Sequence, residues 1–116
     1  KEKSASGPTI TCRQPRGVTP MKMLYIIYAS ASDESITAAF KEAGYRSYTK
    51  GQGMTGEGEE SEPKLGTHYW PGTNNVMLMA VPDEELPRIL ELVRNLKATQ
   101  PRAGLRAFVV PLEECV

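Results

Sequence analysis

At 116 residues the chain has room for one domain with a hydrophobic core and not for two. Fourteen basic residues balance fourteen acidic ones, leaving zero formal charge and a pI near 6.8. That balance argues against bulk electrostatic binding of nucleic acid or of an anionic membrane, and no apolar run approaches the ~20 residues that span a bilayer.

Residues 1–20 contain three prolines, two glycines and a net charge of +3, from four basic residues and one acidic. No hydrophobic period emerges and no apolar signal-peptide segment is visible, so this stretch reads as a flexible N-terminal arm over 1–22. Cytoplasmic residence is the default expectation. Position 1 is Lys, which points to a truncated or processed chain.

Order is expected to begin at Met23. Met23 to Ala29 is short, rich in Ile and Tyr and apolar on both alternating faces, and predicts the first strand. Ser30 to Ser35 offers N-cap chemistry through Ser32 or Asp33. The following helix carries Ile36, Ala39, Phe40 and Ala43 at the i, i+3, i+4, i+7 spacing of one buried face, and Gly44 ends it. Tyr45 to Lys50 predicts a short second strand.

Lys50 to Gly72 is the segment around which the rest is organised. About twenty non-periodic residues between two strands are uncommon in a compact domain and are usually functional or disordered. The segment opens on Gly51, Gly53, Gly56 and Gly58, carries Glu57, Glu59, Glu60 and Glu62 at its tip, and closes on His68, Tyr69, Trp70 and Pro71. It reads as a mobile, ligand-gated loop.

Asn74–Asn75 then predict a turn into the third strand, Val76 to Val81. Pro82–Asp83 start a second helix with Glu84 and Glu85 in its first turn, where acidic groups oppose the positive end of the helix dipole. Its buried stripe is Leu86, Ile89, Leu90, Val93 and Leu96. A turn containing Pro101 and Gly104 leads to the last strand, Leu105 to Val110, with Pro111 as its stop. The order β-α-β-β-α-β is the ferredoxin-like, split βαβ arrangement of an α+β protein. Helices cover one face of such a sheet, yet three of these strands are apolar on both faces. An oligomer that covers the second face is therefore expected.

Catalysis has little to stand on. His68 is the single histidine, without a nucleophile signature or an orienting group beside it, and ligand contact or loop packing is the preferred role. A metal centre is disfavoured, because one His and two Cys near opposite termini lack zinc spacing and the glutamates lack the EF-hand pattern. Free cytosolic thiols are the default for Cys12 and Cys115, although the arm is long enough to bring the two together. Anion binding is better supported. Glycines let backbone N–H groups approach a phosphate closely, although Gly51, Gly53 and Gly56 do not form a Walker motif. The run from Thr99 to Arg106 adds Arg102 and Arg106 in a tight turn, suited to clamping a phosphate.

These motifs, in this order, resemble the PII and PII-like signalling proteins over Met23 to Val116. Lys50-Gly51-Gln52-Gly53 is similar to the KGxG start of that family's mobile T-loop, here 51–72. Thr99 to Phe108 with Val109-Val110-Pro111-Leu112-Glu113-Glu114 is similar to its B-loop and last strand, with Arg106 at the place of the B-loop lysine. The resemblance implies a trimeric assembly with adenine nucleotides in the clefts between subunits. Gly51, Gln52, Gly53, Ala103, Gly104 and Arg106 would line the nucleotide, with Ile27 near the base and His68 and Trp70 at the loop's return.

The departures narrow the reading. The second strand is short, the loop lacks the family's modified tyrosine motif, and Met54 and Thr55 stand where a 2-oxoglutarate-binding member has a Gln-Lys pair. The chain ends at Val116, before an arginine pair that contacts outer phosphates, which favours ADP or AMP over ATP. The run Gly66 to Val81 is similar to the PII-like proteins of inorganic-carbon uptake and carboxysomes, and implies bicarbonate as a further ligand. Its candidate contacts are Thr55, Gly56, Gly58 and Arg102. The resemblance thus implies a non-enzymatic, homotrimeric nucleotide sensor that regulates a protein partner, a transporter or a carboxysome component, without nucleic-acid binding or membrane insertion. The competing reading is a small enzyme on the same scaffold using His68 in a cleft under the loop.

Overall fold

The computed structural model describes residues 20–57 and 72–116. Strands β1 (Met21–Ala29), β2 (Thr49–Met54), β3 (Asn74–Pro82) and β4 (Arg106–Leu112) alternate with helices α1 (Asp33–Glu42) and α2 (Leu86–Thr99). They form one sheet in the order β2-β3-β1-β4, with every neighbouring pair antiparallel. Each helix connects two parallel strands that flank a third, which is the ferredoxin-like topology the pattern predicts.

One face of the sheet holds the core. Leu24, Ile26 and Tyr28 of β1 and Met77, Met79 and Val81 of β3 meet Ile36 and Phe40 of α1 and Ile89, Val93 and Leu96 of α2. Each fully buried side chain of this size contributes roughly 1.5–3 kcal/mol. The α1 stripe is as expected, with Ala39 and Ala43 packed beside the two large residues. In α2, Leu92 packs on the core instead of Leu90, which lines a surface cleft of about 540 Å³ with Lys22, Leu86 and Arg94.

Several predicted boundaries move. Strand β1 starts at Met21, because Met21 pairs with both Pro82 and Leu112. Residues 45–48 are not a strand. Helix α1 closes with Gly44 N–H donating to Lys41 O at 3.0 Å and Tyr45 N–H to Phe40 O at 2.9 Å, a Schellman closure that commits Tyr45 to the helix end. The Tyr45 ring is buried, its hydroxyl donates to Glu85 at 2.9 Å, and Arg88 donates to that hydroxyl and, at 2.7 Å, to Ala43 O. The side chain thereby bolts the two helices together.

Strand β2 begins instead at Thr49 and runs through the glycines, so the first limb of the long loop is sheet. Asn74 and Asn75 are not a turn but the first residues of β3. Pro111 does not stop β4, which continues to Leu112 with Pro111 opposite Lys22. An edge strand tolerates proline because one row of its backbone groups needs no partner.

The second sheet face is apolar and open. Tyr25 faces Leu78 and Phe108 across the two ladders, and Met23 faces Ala80 and Val110. Tyr25, Phe108 and Val110 are 40%, 50% and 38% exposed, a contiguous patch that a chain folding alone has no reason to keep.

Cys115 is disulfide-bonded, which overturns the free-thiol expectation for it, while Cys12 lies outside the described residues. Met21 pairs with Leu112, which sets the start of β1 beside the end of β4 and the tail that carries Cys115. Among the described residues no helix is long and apolar enough to cross a membrane, and no group of three or more His, Cys, Asp or Glu side chains could hold a metal ion.

Candidate functional site

The topology gathers four chain segments at one end of the sheet. They are the end of β1 with the turn at 30–32, the limb of β2 leading to the loop, the return limb at Thr73–Asn75, and the turn at 101–105 before β4. Strand register sharpens this. Gly51 pairs with Val76, Val76 with Ile27, and Ile27 with Arg106, so the four form one row across the whole sheet. At ~4.8 Å per strand the row spans about 14 Å. It brings Gly51, Ile27 and Arg106 together on the open face, although they come from distant parts of the sequence.

The loop's first limb is irregular. The β2–β3 ladder runs to Gly51↔Val76 and resumes at Met54↔Asn74, so β2 carries one extra residue and bulges. Within the bulge Gly53 takes φ +67°, in the left-handed region that glycine occupies without steric cost. Gln52, Gly53, Met54 and Thr55 are exposed, and Gly56 is half-buried, its Cα facing the Asn74 side chain. At the opposite edge Ala103 is buried, which anchors the turn, while Arg102 and Arg106 are exposed. Gly104 also takes a left-handed φ of +61° in open space, so the backbone there is accessible from solvent. Gly58, His68 and Trp70 lie outside the described residues.

Beneath this end lies a polar network that the sequence pattern did not reveal. Lys50 Nζ sits 2.9 Å from Asp33 Oδ1 and donates to Thr37 Oγ1 at 2.9 Å. Tyr28 OH and Thr37 Oγ1 donate to Asp33 at 2.7 and 3.2 Å. Burial pushes the Asp33 carboxyl up, but hydrogen bonds from Lys50, Tyr28 and Asn75 and the charge of Lys50 outweigh it and hold the carboxyl down at about 2. The Tyr28 hydroxyl moves well above the ordinary phenol range, by burial first and then by its bond to the Asp33 carboxylate. Lys50, part of the KGxG motif, is therefore committed to a structural ion pair and pins the loop's first limb to α1.

Asn75 links this cluster to the return limb. Its Oδ1 accepts from Ser30 Oγ at 2.7 Å, and Thr73 Oγ1 donates to Ser30 Oγ at 2.8 Å. Ser35 Oγ, in the first turn of α1, reaches Gln100 Oε1 at 2.7 Å, tying that helix to the start of the 101–105 turn. The only signal in the sequence for these roles was the density of Ser, Thr and Asn around the strand ends. These residue types favour local caps and turns as readily as long-range bonds.

Such an end, with Gly53 and Gly104 exposed, two arginines and a polar floor, is suited to an anionic ligand laid across the sheet row. Comparison with known proteins agrees with the fold. Residues 21–116 match the family model described as Nitrogen regulatory protein P-II. A curated relative, the nifHD-region GlnB-like protein 1 of Methanobacterium ivanovii, is 30% identical over 95 residues, covering 81% of this chain and 90% of its own length. Among solved structures, the PII-like protein CPII of Thiomonas intermedia K12, bound to ADP, AMP and bicarbonate, superposes with a TM-score of 0.64 at 24% identity, covering 80% of this chain and 86% of that one. A functionally unknown protein from Pediococcus pentosaceus superposes with a TM-score of 0.57 at 16% identity, covering 85% and 98%. The match over both helices and all four strands, carried by the family model and the relative at 30% identity, makes this chain a member of the nitrogen regulatory protein P-II family.

Proposed function

We propose that the chain is a noncanonical PII-like sensor, a homotrimer that binds ADP or AMP in preference to ATP, with bicarbonate as a further ligand. Binding changes the conformation of the 51–72 T-loop and thereby regulates a protein partner in inorganic-carbon metabolism, in the cytoplasm. The observation that carries the reading is the sheet row that sets Gly51, Ile27 and Arg106 in one line across the sheet at the root of the loop. The CPII protein with ADP, AMP and bicarbonate bound supports the choice of ligands. The open apolar face around Tyr25 and Phe108 supports the trimer, since two further copies are the simplest cover for it. Nucleotide acts here as a ligand that shifts a loop population and is not consumed.

Calorimetric titration with AMP, ADP, ATP and cyclic AMP, each with and without bicarbonate, tests the reading. Saturable binding near one nucleotide per subunit, tighter for ADP or AMP and altered by bicarbonate, is expected. Absence of heat with every nucleotide would remove the sensor reading.

A further inference from the structure

Asn75 is the one buried Asn, Gln or charged side chain among the described residues, at 3% exposure, and a buried amide persists only if its hydrogen bonds are made. Its oxygen has two acceptor positions and both are used. Ser30 Oγ donates to it at 2.7 Å and the Gly53 backbone N–H at 3.4 Å. The Gly53 N–H can only donate, so the oxygen has to face it and the amide nitrogen is turned toward the Asp33 carboxylate, which that bond helps keep charged. Gly53 lies inside the interruption of the β2–β3 ladder, where a strand partner is missing and a side chain has to replace it.

The same amide reaches the other limb of the loop. Ser30, held by Asn75, is bonded to Thr73 twice, through Thr73 Oγ1 to Ser30 Oγ at 2.8 Å and Ser30 N–H to Thr73 O at 2.9 Å. One side chain therefore sets the outgoing limb at Gly53, the return limb at Thr73 and the Asp33–Lys50 pair beneath them.

From this convergence we propose that Asn75 is the positioning residue of the loop base, whose buried amide fixes both limbs of the long loop in the geometry that receives ligand. The proposal deepens the nucleotide-sensor reading and rests on it for its functional consequence, but the brace itself is measurable without any ligand.

The test is amide hydrogen exchange by NMR on the ligand-free protein, with nucleotide titration as a separate arm. Asn75→Ala is expected to speed exchange at Gly53 about fivefold, the loss of one net hydrogen bond, while the amides of Leu24 and Met77 keep wild-type rates. Asn75→Leu, close in volume but without an acceptor, is expected to speed exchange at Gly53 as Asn75→Ala does, a result that mere packing would not give. If Asn75→Ala does not fold, Asn75→Ser, too short to reach Gly53, is expected to show the same local acceleration. Unchanged exchange at Gly53, or equal acceleration throughout the sheet, would overturn the proposal. In the titration arm, a wild type that binds ADP and an Asn75→Ala protein that binds it several-fold more weakly support the role in ligand binding. A wild type that binds no nucleotide while the exchange result holds would leave the brace standing and defeat the sensor reading alone.

Discussion

Replacing Lys50 with Met removes the ammonium from the Asp33 carboxylate while keeping most of the side chain's length, and its effect should depend on pH in a defined way. In the folded chain Asp33 is held at about 2, against an ordinary value of 3.8. That depression corresponds to roughly 2.5 kcal/mol. Part of that belongs to Tyr28 and Asn75, and the pair is partly solvated, with side-chain exposures of 17% and 28%. About 1 kcal/mol is a fair share for Lys50. The sign follows from linkage. A carboxyl with a depressed folded-state pKa contributes stability that is fully present above its unfolded value and is lost as pH falls through the folded one. The difference between wild type and Lys50→Met should be largest from pH 7 down to about 4 and shrink between pH 4 and 2. Urea denaturation of both proteins at matched concentration across that range provides the measurement, the matching being needed because assembly adds concentration-dependent stability. A difference that stays constant between pH 7 and 2 would refute the assignment of Lys50 to this ion pair.

Two further outcomes follow from the packing. Tyr45→Phe removes a hydroxyl that accepts from Arg88 and donates to Glu85, and should cost about 1–2 kcal/mol in the same denaturation assay. The wild-type Tyr45 phenol, pushed up to about 12 by burial and then by its bond to Glu85, should be missing from the ultraviolet titration at pH 10–11 and appear near 12. Phe108→Glu puts a charge on the open face opposite Tyr25. It should convert the proposed trimer to monomers of 12.8 kDa by light scattering, and a mass unchanged from a wild-type trimer would show that this face is not the interface.

Much of the fold was legible in the sequence because it rests on local periodicity. The stripe Ile36–Phe40, the both-faced strands at Met23–Ala29 and Val76–Val81, and the acidic start of the second helix each carry their signal within one element. The errors fell where a distant contact overruled a local preference. Tyr45 has the composition of a strand but closes α1, since its hydroxyl finds Glu85 and Arg88 forty and forty-three positions away. Asn74 and Asn75 have the composition of a turn, but the bulge at Gly53 needs a side-chain acceptor, and that need arises only once β2 and β3 are paired. Pro111 stops a central strand and not an edge one, and nothing in β4 itself announces that it lies at the edge. By itself the sequence determined both helices, the strands at Met23–Ala29 and Val76–Val81, and an apolar excess that one layer of helices cannot cover. Only the tertiary structure decided that Gly51, Ile27 and Arg106 share a row and that Lys50 is tied to Asp33. Row and ion pair alike are set by strand register and by the crossing of α1 over the sheet, which bring together residues whose separation along the chain carries no periodic signal.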